Sequence, residues 1–227
     1  MKTDEIIRTH VIEEIKLDPQ LSKIAAQIGV TAKDEVVTLT GTVDSYYQKL
    51  AAEKAAHRVK DVKVVAMDIE VRPSGITGTV NDSEIGEAVR NALTWHSAVN
   101  EDLVNIKVEN GWVYLEGIVD WEYERSAAEK SIEHIRGVKG VINRVKIRPR
   151  DIDPFEVKKK IATAFYRHAN IDSESINVET SGNQVILTGS VRSWTERNDA
   201  EDVAWLMPGV TDVDNRLEIE NETFAGE

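Results

Sequence analysis

The side chains of this sequence best suited to proton transfer or metal ligation are five histidines: His10, His57, His96, His134 and His168. A neutral imidazole ligates metals and accepts protons near neutral pH, but it needs partners at a fixed spacing. No two of these histidines stand four residues apart, the spacing of a helical metal site, and no cluster of acidic ligands accompanies them. Only His96 and His168 hold equivalent places in the pattern described below. Both fall near the end of a predicted helix, where a contact with its C-terminus accounts for them. With no cysteine in the chain, disulfides, thiolate metal sites and a cysteine nucleophile are excluded, and the redox compartment stays open. There is no phosphate-cradling glycine loop, nucleophile elbow or dinucleotide fingerprint. The sequence thus offers no catalytic residue, no metal site and no cofactor, and binding is the chemistry it leaves.

Two groups of residues fit binding. Along Trp112–Val119, Val113, Leu115, Gly117 and Val119 point to one side of a predicted strand and Trp112, Tyr114, Glu116 and Ile118 to the other. At the matching places elsewhere stand Val36, Thr38, Thr40 and Thr42, and then Gln184, Ile186, Thr188 and Ser190. Only the middle set is strongly aromatic. Another sheet of the same chain could cover it, or it could meet a second subunit or a ligand, as large exposed apolar patches do. The second group is Arg144, Lys146, Arg148 and Arg150, which share one face at a period of two, with Lys158-Lys159-Lys160 further on. Such a stripe can guard a sheet edge or dock the acidic C-terminal third of the same or another chain. It can also hold an anionic lipid headgroup, at about 1 kcal/mol per basic residue.

These residues sit within a threefold repetition. Val36–Val43 recurs as Trp112–Val119 and as Gln184–Val191, and Val62–Val71 recurs as Val138–Ile147 and Val210–Ile219. Each copy opens with a helical pattern: Ile7, Val11 and Ile15 after a Thr3 or Asp4 cap, then Ile85, Val89 and Leu93 after Asp82-Ser83. The third has Val157, Ile161 and Phe165 after Asp153-Pro154, a cap followed by proline at the first helical position. A hairpin follows, turning at Asp34-Glu35, Asn110-Gly111 and Gly182-Asn183, of which Asn110-Gly111 is the strongest turn signal. A second helix starts at an Ala-Glu pair (Ala52, Ala128, Ala200) and ends near Asp61, Gly137 and Gly209, where a left-handed residue suits the cap. The aromatics Tyr46, Tyr47, Trp121, Tyr123 and Trp194 crowd the junction before it. A last strand closes each copy, parallel to the second through a right-handed crossover. The expected fold is α+β: three tandem helix-strand-strand-helix-strand units, each a small mixed three-stranded sheet with two helices on one face. The expected domains are residues 1–73, 80–149 and 152–220, with a flexible linker at Pro73–Gly78 and a disordered tail at 221–227.

The Gly-x-Val-x-Leu-x-Gly-x-Val run, the Ala-Glu helix and the Gly-Val-x-x-Val-x-Asn-x-Leu close resemble the BON domain of osmotically induced and lipid-associated bacterial envelope proteins. The likeness is clearest at Gly111–Val119 and Gly137–Asn143, and again at Gly209–Leu217. The first copy departs from it, with Asp61 for the helix-ending Gly and Met67 for the Asn. The resemblance implies a module that binds phospholipid or joins envelope assemblies.

The net charge of −12 narrows the partners. Residues 1–75 carry 11 basic and 12 acidic residues, residues 76–150 carry 10 and 12, and residues 151–227 carry 7 and 16. A field of that sign repels nucleic acid. No apolar stretch follows Met1, so the expected location is cytoplasmic, or periplasmic for a chain trimmed of its leader. The expected function is a non-enzymatic scaffold that self-associates as a homo-oligomer or docks another protein through Trp112, Tyr114, Ile118, Arg144, Lys146, Arg148 and Arg150. The alternative is peripheral binding of anionic phospholipid under envelope or osmotic stress.

Overall fold

The computed structural model of the chain describes residues 2–73 and 80–220. Most of the expected linker and the whole expected tail lie outside them. The first repeat runs α1 (Lys2–Leu17), β1 (Ile28–Lys33), β2 (Val36–Val43), α2 (Tyr46–His57) and β3 (Val64–Val71). The second runs α3 (Asp82–Trp95), β4 (Val104–Glu109), β5 (Trp112–Val119), α4 (Glu122–Ile132) and β6 (Gly140–Ile147). The third runs α5 (Pro154–Arg167), β7 (Ile176–Ser181), β8 (Gln184–Val191), α6 (Trp194–Trp205) and β9 (Asp212–Ile219). Each repeat is an α+β unit with its own three-stranded sheet, ordered β1-β2-β3, β4-β5-β6 and β7-β8-β9. β2 pairs antiparallel with β1 and parallel with β3, and β8 likewise with β7 and β9. By packing the chain forms two units. One runs to Val119 and adds Tyr123–Lys146; the other takes Asp120–Glu122 and continues from Ile147.

Alternation along the strands decides what is buried. Val37, Leu39 and Val43 of β2 join Ile7, Val11 and Ile15 of α1 and Ala52, Ala55 and Ala56 of α2 in one core. Val185, Leu187 and Val191 join Val157, Ile161, Phe165, Ala200 and Ala204 in the same way. In the middle repeat Val113, Leu115 and Val119 are buried with Ile85, Val89, Leu93, Ala128 and Ile132. Each buried Val, Leu, Ile or Phe side chain contributes about 1.5–3 kcal/mol by leaving water. The small alanines of the second helices let those helices lie close to the sheet.

The glycine shared by all three hairpins has a steric cause. Gly41, Gly117 and Gly189 take φ of 121°, 153° and 117°. A Cβ at any of them would run into the carbonyl of Gln27, Leu103 or Ser175. The hairpin turns behave as their residues suggest. Asn110 and Gly111 both have positive φ, and so do Asp34 and Glu35, without a glycine to ease the strain.

Several boundaries differ from the sequence expectation. α1 begins at Lys2, so Thr3 and Asp4 lie inside it and do not precede it; the Asp4 carboxylate accepts the Asp34 N–H at the hairpin turn, 3.1 Å away. Asn81, not Asp82 or Ser83, caps α3, in a reciprocal box with Glu84. The Asp82 carboxylate turns to the Asn110 and Gly111 amides at 2.7 and 2.9 Å. Asp153 does cap α5 and Pro154 starts it. The second helices begin about six residues before the Ala-Glu pairs, so the aromatics Tyr46, Tyr47, Tyr123 and Trp194 are first-turn helix residues. Ser45 and Ser193 cap two of these helices by accepting the Gln48 and Glu196 amides. The helices also stop short of Asp61, Gly137 and Gly209, which are left-handed (φ 67°, 92° and 87°) but sit after a further turn.

Candidate binding surface

The middle strand of the middle sheet places Trp112, Tyr114, Glu116 and Ile118 on the side away from the buried Val113, Leu115 and Val119. Trp112 is 40% exposed and Ile118 49%, with Tyr114 half-buried between its neighbours. The hairpin register sets Lys107 opposite Tyr114 and Glu109 opposite Trp112. The Lys107 Nζ lies 5.4 Å from the Tyr114 ring centroid and the Arg144 guanidinium 5.6 Å from it. Two cations therefore flank the ring, each worth about 0.5–1 kcal/mol at an exposed site.

Trp112 is accommodated by a glycine. A Cβ on Gly140 would collide with the six-membered ring of the Trp112 indole, which lies against the Gly140 backbone. In the other two sheets the corresponding pairs are Val36 with Val64 and Gln184 with Asp212. Only the middle repeat combines a large aromatic with an empty neighbour.

The basic stripe is present, but acids of the same repeat meet two of its four members. Arg144 Nη1 stands 3.4 Å from Glu116 Oε1, and Arg148 Nε donates to Asp120 Oδ1 at 2.9 Å. The Arg150 guanidinium sits 4.3 Å over the Trp121 ring. Lys107 Nζ is 2.9 Å from Glu109 Oε2. These pairs are exposed and add at most about 1 kcal/mol each. Lys146 has no ion pair among the described residues. The face is thus close to neutral, aromatic at one end and aliphatic at the other. The sheet of the third repeat differs: Glu179, Asp212, Asp214 and Glu218 face Arg216 alone, and Arg216 is taken by Asp214 at 2.6 Å.

Sequence reading missed Lys107, Gly140 and Asp120 as parts of this surface, and it placed Glu116 on the face without pairing it with Arg144. The Asn110-Gly111 turn fixes the register that brings Lys107 to Tyr114, and that signal was available. A groove of about 610 Å³ between α3 and β4 was also missed, lined by Asp82, Gly86, Arg90, Val104, Ile106 and Val108 among others. In the first repeat Arg8 occupies the place of Gly86, one residue after the buried Ile7 as Gly86 follows Ile85. There Arg8 Nε donates to the Val30 carbonyl on the sheet edge at 3.1 Å.

The histidines do not converge. His96 and His168 terminate α3 and α5 as their caps, and His134 stacks on Tyr47. Among the described residues no group of His, Cys, Asp and Glu could hold a metal ion. Among them, too, no helix is long and apolar enough to cross a membrane.

The BON domain family model matches residues 3–73, 81–149 and 154–221. An uncharacterised protein from the gshII 5' region of Anaplasma centrale is 30% identical over 138 residues, spanning 59% of this chain and 91% of that protein. Osmotically-inducible protein Y of Escherichia coli strain K12 is 28% identical over 148 residues, 61% of this chain and 72% of that one. Among solved structures, CdsD, a structural protein of the type III secretion system of Chlamydia trachomatis, aligns at 14% identity over 96% of this chain and 94% of its own, with a TM-score of 0.28. BON domains are non-catalytic, and are implicated in phospholipid or membrane binding and in protein scaffolding. Three matches covering nearly the whole length, on three repeated α+β units, establish that this chain belongs to the BON domain family.

Proposed function

We propose that this protein is a self-associating scaffold whose contact surface is the open face of the middle sheet, and that it works in the cytoplasm. The observation that carries the proposal is the exposure of Trp112 and Ile118, at 40% and 49%, on either side of Tyr114 on one strand. The equivalent strand of the first repeat offers Val36 and three threonines, and that of the third offers a lone Ile186 among polar residues. A solvated tryptophan at the end of an apolar row gains about 25 cal/mol for each square ångström it hides. The sheet has three strands about 4.8 Å apart and up to eight residues at about 3.3 Å each, a footprint of roughly 400 Å² per copy. That is about half the ~800 Å² per partner of a standard interface, so the contact is weak and concentration-dependent.

The second reading is peripheral binding of anionic phospholipid. Exposed Arg144, Lys146 and Arg148 favour it, and the pairing of Arg144 with Glu116 and Arg148 with Asp120 counts against it. Light scattering over a concentration series, run beside co-sedimentation with anionic vesicles, separates the two. Scaffolding requires a mass that rises with concentration and falls back with Trp112→Lys. Lipid binding requires sedimentation with vesicles at constant mass.

A further inference from the structure

We infer that the occupant of the middle repeat's open face is the same face of a second copy, related by a two-fold axis. The inference rests on the self-association proposed above and names its partner.

Charge decides between the candidate partners. The third repeat's sheet is acidic, with four carboxylates against Arg216. Arg144, Arg148 and Lys107 of the middle sheet are already engaged by Glu116, Asp120 and Glu109. Laid on the third repeat's sheet, the middle face would have only Lys146 and Arg150 to offset that excess, and burying unmatched carboxylate is costly. The middle face carries cation beside carboxylate across most of its width, so two copies bring together only the unpaired Lys146 of each, on the outer strand β6.

The apolar row points the same way. An axis crossing β5 between Tyr114 and Glu116, perpendicular to the strand, runs the two middle strands antiparallel. It sets Trp112 of each copy on Ile118 of the other, because these two residues are equally far from the axis along one face of the strand. Each favourable contact then occurs twice, and the assembly closes as a dimer instead of growing as a filament.

The chain contains no cysteine, so one introduced thiol is a unique reporter. Tyr114→Cys and Glu116→Cys place it beside the proposed axis, and Thr188→Cys places it on the third repeat's sheet. Each full-length variant is treated with a short bismaleimide at a concentration where light scattering shows association. The inference expects a covalent dimer, and nothing larger, from Tyr114→Cys or Glu116→Cys. It expects the yield to drop at least tenfold on adding Ile118→Lys or Trp112→Lys, with unchanged circular dichroism. Cross-linking between Glu116→Cys and Thr188→Cys chains, with none in Glu116→Cys alone, would mean head-to-tail pairing and overturn this inference while leaving self-association standing. A dimer band indifferent to Ile118→Lys would be collisional and would overturn it too. A constant monomer mass with no specific cross-link in any variant would overturn self-association itself.

Discussion

The Tyr47 ring lies 3.8 Å from the His134 imidazole, tilted by 32°, and this contact joins the first repeat to the second. Beside it Tyr46 hydrogen-bonds the Val141 backbone on β6. Its hydroxyl is pushed up to about 12, first by burial and then by the nearby Glu129 and Glu133 carboxylates. A group whose folded pKa is raised holds its proton longer in the folded state. Its contribution is complete below pH 10 and is lost as pH rises from about 10 to about 12. The melting temperature of the wild type should therefore fall more steeply over that window than that of Tyr46→Phe. Parallel curves for the two proteins would exclude Tyr46 as the cause.

Among the described residues of the third repeat, Glu196 is the one buried charged residue. Burial pushes its carboxyl up, but N–H donors from Asp172 at 2.7 Å and from the Arg192 main chain and side chain at 2.9 and 3.1 Å outweigh this and hold it below its usual 4.5. That stabilisation is present above pH 4.5 and lost as pH falls through the lowered value. Glu196→Ala leaves buried amide donors without an acceptor, and should cost about 1–3 kcal/mol in urea denaturation at pH 7. The difference should shrink under acid conditions. A cost under about 0.5 kcal/mol would mean that water replaces the carboxylate there.

Gly140 makes room for the Trp112 indole. Gly140→Val should displace the ring and cost about 1–3 kcal/mol, as overpacking does. The smaller side chain of Trp112→Ala should relieve it in the double variant, which a double-mutant cycle reads directly. Additive effects would show that the two residues are independent.

Repetition made the fold legible. Three copies of one pattern average out local ambiguity, so element order, the parallel third strand and the buried faces are legible in the sequence alone. Helix starts were harder to place. Asp82 looks like a cap because aspartate caps helices, yet its carboxylate is drawn to the Asn110-Gly111 amides, a tertiary contact that local sequence does not announce. The surface was half legible. Alternation put Trp112, Tyr114 and Ile118 on one face. The neutralisation of Arg144 and Arg148 depended on Glu116 and Asp120, which stand about 28 residues earlier on an adjoining part of the sheet.

Reversing Arg144 and Lys146 to Glu tests whether charge matters at that face. The account expects self-association to weaken several-fold, because Glu116 would then face a like charge, with the sensitivity reduced in high salt as exposed charges are screened beyond about 8 Å. Loss of vesicle binding with association unchanged would favour the lipid reading instead. No change in either property would reduce the stripe to a solvated strand edge.

The central claim is tested most directly by the mass of the full chain from size exclusion with light scattering, measured from low to high micromolar concentration for wild type and for Trp112→Lys. The account predicts a wild-type mass rising from one copy toward two, with the variant staying at one copy while its circular dichroism is unchanged. A wild type that stays monomeric throughout, or a variant that associates as well as wild type, would contradict it.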